Sequence, residues 1–154
     1  MKIRIAFILF VFVFLMPGAT ACGTVDAYSY PYEMEVNDMK TLLMKIGDTS
    51  VDVAWEENAS VEELKGLAAS GLTISMSMYG DFEQVGSIGK SITRDDKQTT
   101  TTAGDIVLYS GNQLVVFYGS NSWAYTRLGR VNLSENELKE LLSNGDVTIT
   151  LSVE

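Results

Sequence analysis

The sequence predicts a mainly β domain, an antiparallel sheet that curls and is covered at its open ends by two short helices. Three observations carry that prediction. Apolar and polar residues alternate in one run after another from Met39 onward, glycine-containing turns separate several of the runs, and only two stretches switch to helical spacing, each behind a Ser-x-x-Glu start signal.

Leu42, Met44 and Ile46 form the first alternating run, Gly47-Asp48 supplies a two-residue turn, and Val51, Val53 and Trp55 return, which together describe a β-hairpin. Ser60 with Glu63 then reads as a capping box, with Val61, Leu64, Leu67 and Ala68 on one helical face and Gly71 as a left-handed stop. Strands follow at Leu72-Ile74-Met76-Met78, Ile106 to Tyr109, Leu114 to Tyr118, and around Tyr125 to Val131. The polar stretch Thr93 to Thr102 between them reads as a long loop. Ser134 and Glu137 open the second helix, with Leu133 and Leu138 placed for a hydrophobic staple, Leu138, Leu141 and Leu142 on one face, and Gly145 at its end. Val147, Ile149, Leu151 and Val153 make the last strand.

The N-terminus has the layout of an export signal over residues 1–21: Lys2 and Arg4, an apolar run from Ile5 to Met16, then Gly18-Ala19-Thr20-Ala21 before Cys22. That run of 12 residues falls short of the roughly 20 that cross a hydrocarbon layer. Ala19-Thr20-Ala21-Cys22 fits ordinary cleavage as well as lipoprotein processing, in which the cysteine is acylated and becomes the new N-terminus. The only cysteine of the chain stands where lipidation requires it, so Cys22 is expected to anchor an exported protein to the membrane outside the cytoplasm. Residues 22–38, which hold the sole proline beyond the signal, read as the lipidated N-terminus and a tether, and residues 39–154 as the folded domain. Alternation of Tyr28, Tyr30 and Tyr32 leaves a docked strand open as another reading of the tether.

Loss of the signal removes two basic residues and no acid, leaving nine basic against twenty acidic residues, a net charge of about −11. Such a surface repels nucleic acid, which excludes it as a partner. The absence of histidine excludes Ser-His-Asp and Cys-His nucleophile systems and most zinc sites. No cofactor is expected, and no metal: a weak calcium site among Asp81, Glu83, Asp95 and Asp96 would match no known loop spacing. Gly86 to Ser91 lacks the first glycine of a phosphate loop, since Gln84 stands there. Asn58-Ala-Ser60 and Asn132-Leu-Ser134 match glycosylation sequons, but in each the serine is accounted for as a helix cap.

Four segments then carry a resemblance: Tyr79-Gly80-Asp81-Phe82-Glu83-Gln84-Val85-Gly86, Gly104 to Tyr109, Leu114 to Gly119, and Ser122 to Val131. In order and spacing they resemble the small bacterial cyclophilin-like domain family, from about Met39 to Glu154. The resemblance implies a closed eight-stranded β-barrel capped by two helices, and a barrel without free edge strands implies a monomer. It also raises prolyl cis/trans isomerisation, which lowers a barrier of about 18–20 kcal/mol using an arginine beside an apolar proline pocket. Of Arg94, Arg127 and Arg130, none sits in a segment that matches the catalytic arginine motif of cyclophilins, and their pocket histidine has no counterpart.

The expected ligand-binding wall is aromatic, Tyr79, Phe82, Phe117, Tyr118, Trp123 and Tyr125, with Glu83 and Arg127 as polar contacts. Trp123 stands out because Gly119 to Ser122 reads as a loop in front of it. Packing competes for each ring, because every second side chain of a barrel strand points into the core. Three functions stay open: a non-catalytic module that binds a peptide segment or small ligand, a peptidyl-prolyl isomerase with Arg127 in the catalytic role, and a structural or interaction module. An open groove, an arginine aimed into it, or a large exposed apolar patch, respectively, would distinguish them.

Overall fold

In the computed structural model, which describes residues 40–154, Leu42, Met44 and Ile46 are buried while Leu43 and Lys45 face out, so the expected alternation is realised in strand β1 (Leu42–Ile46). The export signal (1–21), Cys22 and the tether (22–38) lie outside the described residues. Gly47, at φ +56°, makes the turn into β2 (Thr49–Val51), which pairs antiparallel with β1 so that Met44 faces Val51.

The chain then leaves that sheet at Asp52, and β3 (Val53–Trp55) pairs instead with the far end of a long strand over Ser122–Val131. A second switch follows α1 (Ala59–Ala68): β4 (Leu72–Ser75) belongs to the first sheet and β5 (Ser77–Tyr79) to the second. Between them, the Met76 amide donates to the Val147 carbonyl at 2.8 Å. Completing the set are β6 (Glu83–Ser87), β7 (Lys97–Thr100), β8 (Asp105–Tyr109), β9 (Gln113–Phe117), β10 (Ser122–Val131), α2 (Glu135–Leu142) and β11 (Thr148–Val153). The first sheet runs β2-β1-β11-β4 and the second β3-β10-β8-β9-β6-β5, with β7 beside the start of β10.

Among the described residues the fold is mainly β with antiparallel sheets and two helices, but the eight-stranded closed barrel is not found: eleven strands form two sheets there, and neither closes on itself. The cause lies at the two corners, where the chain crosses between sheets and the ladder breaks. Edge strands therefore exist, and the premise behind the expected monomer changes. Three of the edges, β2, β3 and β5, are only three residues long, and β7 is polar and mostly exposed, which limits strand addition by neighbours.

The Thr93–Thr102 stretch is not wholly a loop, since Lys97–Thr100 pairs with Ser122–Tyr125. The Ser60–Glu63 capping box is also corrected. Asn58, in an extended conformation, is the cap of α1, and its side chain accepts the Val61 amide at 3.0 Å. Ser60 is instead buried inside the helix and donates to the Thr93 carbonyl, while the Glu63 carboxylate accepts the Thr93 amide, so both hold the segment ahead of β7. At α2 the expected box is present in full, with Ser134 and Glu137 bonded reciprocally.

One core lies between the sheets. Leu42, Met44, Ile74, Ile149 and Leu151 from the first meet Ile106, Leu108, Leu114, Val116 and Leu128 from the second, and Val61, Leu64, Leu138 and Leu142 join from the helices. Each such side chain contributes about 1.5–3 kcal/mol by leaving water. Gln84, fully buried, donates through Nε2 to the Leu142 and Gly145 carbonyls at 2.7 and 2.8 Å and so satisfies carbonyls at and just beyond the C-terminal end of α2.

Candidate functional site

Strands β8 and β9 are buried on both faces, unlike the one-sided strand β1. Their inward residues fill the core. On the opposite face Val107, Val115, Phe117 and Tyr125 make a second, smaller apolar cluster, with Phe82 and Val85 packed against it. The registers place Glu83 opposite Phe117, Val85 opposite Val115, and Tyr79 opposite Glu83 on this same outer face.

Above the cluster is an open cavity of about 470 Å³, lined by Tyr79, Glu83, Val85, Tyr109, Val115, Asn121, Trp123 and Tyr125. Val115 and Tyr125 are buried, whereas Tyr79 and Trp123 are 67% and 57% exposed and stand as rims. Tyr125 packs edge-on against Tyr109 and Phe117, with centroids 6.1 and 5.7 Å apart, and its hydroxyl accepts from Asn121 Nδ2 at 3.0 Å. Asn121 is carried there by the turn after β9, where the Tyr118 and Gly119 amides both donate to the Phe82 carbonyl at 2.9 Å. Gly119 is required for that approach, since a Cβ would lie 2.7 Å from the Phe82 Cβ.

Glu83 is the one carboxyl of the lining among the described residues. Only 6% exposed, it has a buried Oε2 without a hydrogen-bond partner among the described residues. Burial pushes its carboxyl up to about 7, because the charged form has lost its water. The Tyr125 hydroxyl is raised as well, by burial first and then by the Glu83 charge.

Four of the expected residues, Tyr79, Glu83, Trp123 and Tyr125, thus meet in one cavity. Phe117 is fully buried beneath Tyr125, and Phe82 is half-buried at the edge of the same cluster, so both support the wall rather than line it. Tyr118 points the other way, into the main core, with its hydroxyl unpartnered.

Arg127 does not line the aromatic cavity. It lines a neighbouring polar cavity of about 440 Å³ with Glu56, Asn58, Thr93, Asp95 and Lys97, and Tyr125 borders both. Its guanidinium donates to Asp105 Oδ1 at 3.1 Å and lies 3.5 Å from Glu56. Asp105, nearly buried, also receives Arg130 at 3.0 Å, which makes the pair of arginines a local clamp on one carboxylate. Asp95 and Asp96 are bonded to Lys97 and Arg94, and among the described residues no cluster of acids or other metal-ligating side chains is placed to hold a cation.

Val85, Tyr109, Val115 and Asn121 line the cavity without having been singled out. The signal for two of them, Tyr109 and Val115, was present: Ile106 to Tyr109 and Leu114 to Phe117 are apolar on both sides, which a sheet with one wet face does not need. Asn121 had no such signal.

Chemically, the described lining of the cavity offers π-faces, apolar contact area and one buried acid, and no nucleophile paired to a base is among it. Comparison with curated proteins finds no match, and comparison with solved structures finds none either. Residues 44–152, most of the chain and nearly all of its described part, match the model of the cyclophilin-like family, and the chain therefore belongs to that family.

Proposed function

We propose that this is an exported lipoprotein, anchored through Cys22, whose cyclophilin-like domain is a non-catalytic module that binds a peptide segment or small ligand at the cell envelope. The observation that carries the binding role is the aromatic cavity on the outer face of the second sheet, about 470 Å³ in volume and open beside an exposed Trp123. That volume lies in the range of ligand sites, about 300–1,000 Å³, and four aromatic rings line it. Placement of Arg127 in the adjoining polar cavity, held by Asp105, favours binding over isomerisation.

The full chain is to be titrated with short aromatic and Xaa-Pro peptides while tryptophan emission is followed. Trp55, whose indole N–H is bonded to the Leu42 carbonyl at 2.7 Å, serves as the insensitive reference. A response that disappears in Trp123→Phe supports the module; a response that survives it removes the cavity from consideration. Exchange NMR on the same Xaa-Pro peptides, with Arg127→Ala beside the parent, tests turnover, and acceleration that is lost in the variant would establish an isomerase instead. For the anchor, Cys22→Ser is expected to move the protein from the membrane to the soluble fraction of the source cell.

A further inference from the structure

The electrostatics of the aromatic cavity single out one class of guest. Among the described residues, three tyrosines and a tryptophan line the space with a single carboxyl, that of Glu83, and no lysine or arginine does. The nearby cations are committed elsewhere: Arg127 to Asp105 and Glu56, Lys97 to Asp95. Glu83 Oε2 is buried without any hydrogen-bond donor among the described residues. A carboxylate in that position is costly, and a protein that only needed the volume filled would place an apolar residue there, as it does at Val85 and Val115. Aromatic faces attract cations through their quadrupoles, and a desolvated acid supplies the matching countercharge.

We propose that the cavity holds an organic cation, an alkylammonium group, with its charge against Glu83 and its alkyl surface against Trp123, Tyr109, Tyr79 and Tyr125. This deepens the binding role proposed above and rests on it. Two sources share the chemistry, a free small amine and a lysine-type side chain on a peptide. The titratable side chains lining the cavity with Glu83 are Tyr79 from β5, Tyr109 from β8 and Tyr125 from β10, with Asp81 in the β5–β6 turn and Tyr118, on the core side of the sheet, close enough to feel its charge; Glu83, pushed up to about 7 by burial, changes charge near neutrality. Ionisation of Glu83 creates the site, and affinity therefore rises with pH through about 7.

The test uses calorimetry on the full chain with three probes: choline, its neutral isostere 3,3-dimethylbutan-1-ol, and Nα-acetyl-Nε-trimethyllysine amide. One of the two cations is expected to bind at least about tenfold more tightly than the neutral isostere at pH 8, and which one prevails identifies the source. In Glu83→Gln that preference is expected to vanish while binding of the isostere persists, and in the parent it is expected to shrink as pH falls from 8 to 5. Equal binding of the isostere, or a preference that survives Glu83→Gln, overturns the cation while leaving a ligand cavity in place. No binding of any probe, with none of the peptides bound either, overturns both.

Discussion

Strands β8 and β9 present alternate residues to two different surroundings. Ile106, Leu108, Leu114 and Val116 point inward, are aliphatic, and are sealed by the first sheet and both helices. Val107, Val115 and Phe117 point outward and are buried beneath Tyr125 and the half-buried Phe82 and Val85, and the cavity opens above this smaller cluster, with Val115 in its lining. Alternation along a strand thus lets ten residues serve both a core and a binding face. The inner face is defined by close packing, and the outer face by an apolar floor that no second sheet covers.

That contrast is best broken from the inside. Leu108→Ala and Leu114→Ala each empty a fully buried position and are expected to cost about 2–5 kcal/mol, read as a lowered urea midpoint with the slope unchanged. A loss below about 1 kcal/mol would mean that the two sheets can collapse around the gap, and the core would then be no better packed than the outer floor.

The next effect belongs to the outer face and depends on pH. The folded carboxyl of Glu83 titrates near 7 against an ordinary 4.5, so between those values the folded state keeps a proton that the unfolded state has released. Stability therefore falls as pH rises from about 4.5 to about 7 and levels off above, by up to about 3 kcal/mol. Glu63, Glu135 and Glu137 are shifted the opposite way by hydrogen bonds to Thr93, Lys139 and Ser134, so their contribution is present above pH 4.5 and is lost only as pH falls below it. The two windows separate. Denaturation midpoints from pH 4.5 to 8 should slope downward in the parent and flatten in Glu83→Gln; an unchanged slope in the variant would place the titrating group elsewhere.

Much of the inner face could be read from the chain, because burial imposes period and turns impose glycine: the Gly47 hairpin and the Ser134–Glu137 box are both present. Sheet membership could not be read. Val51, Val53 and Trp55 keep one alternating pattern across Asp52, and Leu72 to Met78 across Met76, although in each case the chain changes sheets there. Strand β7 is exposed at an edge and carries no apolar signal. Ser60 satisfied a capping pattern, but Asn58 two residues earlier took the cap and left Ser60 to the Thr93 carbonyl. At the outer face, residue type was legible and direction was not: Phe117 and Tyr118 are consecutive in an extended chain, so at most one could face the cavity. Arg127 was drawn to the rings by its place in the strand, whereas the buried charge of Asp105 holds it in the next cavity.

A smaller effect separates the two helix starts. Asn58→Ala and Ser134→Ala each remove a cap and are expected to cost about 1 kcal/mol. Ser60→Ala should cost a similar amount, since it removes the bond from the buried Ser60 hydroxyl to the Thr93 carbonyl. Thermal midpoints of the three variants rank them, and a silent Asn58→Ala beside a costly Ser60→Ala would return the capping role to Ser60.

The smallest expected change in stability falls on the residue expected to matter most for binding. Trp123 is 57% exposed at the start of β10, opposite Thr99 of an edge strand, so its ring supports little of the fold. Trp123→Ala should shift stability by no more than about 0.5 kcal/mol, within the range of surface substitutions. Loss of ligand response in a variant that unfolds like the parent would show that the outer rings are kept for a guest. If Trp123→Ala instead destabilised the chain as much as Leu108→Ala, the ring would be part of the packing, and the outer face would be a second core left incomplete rather than a site.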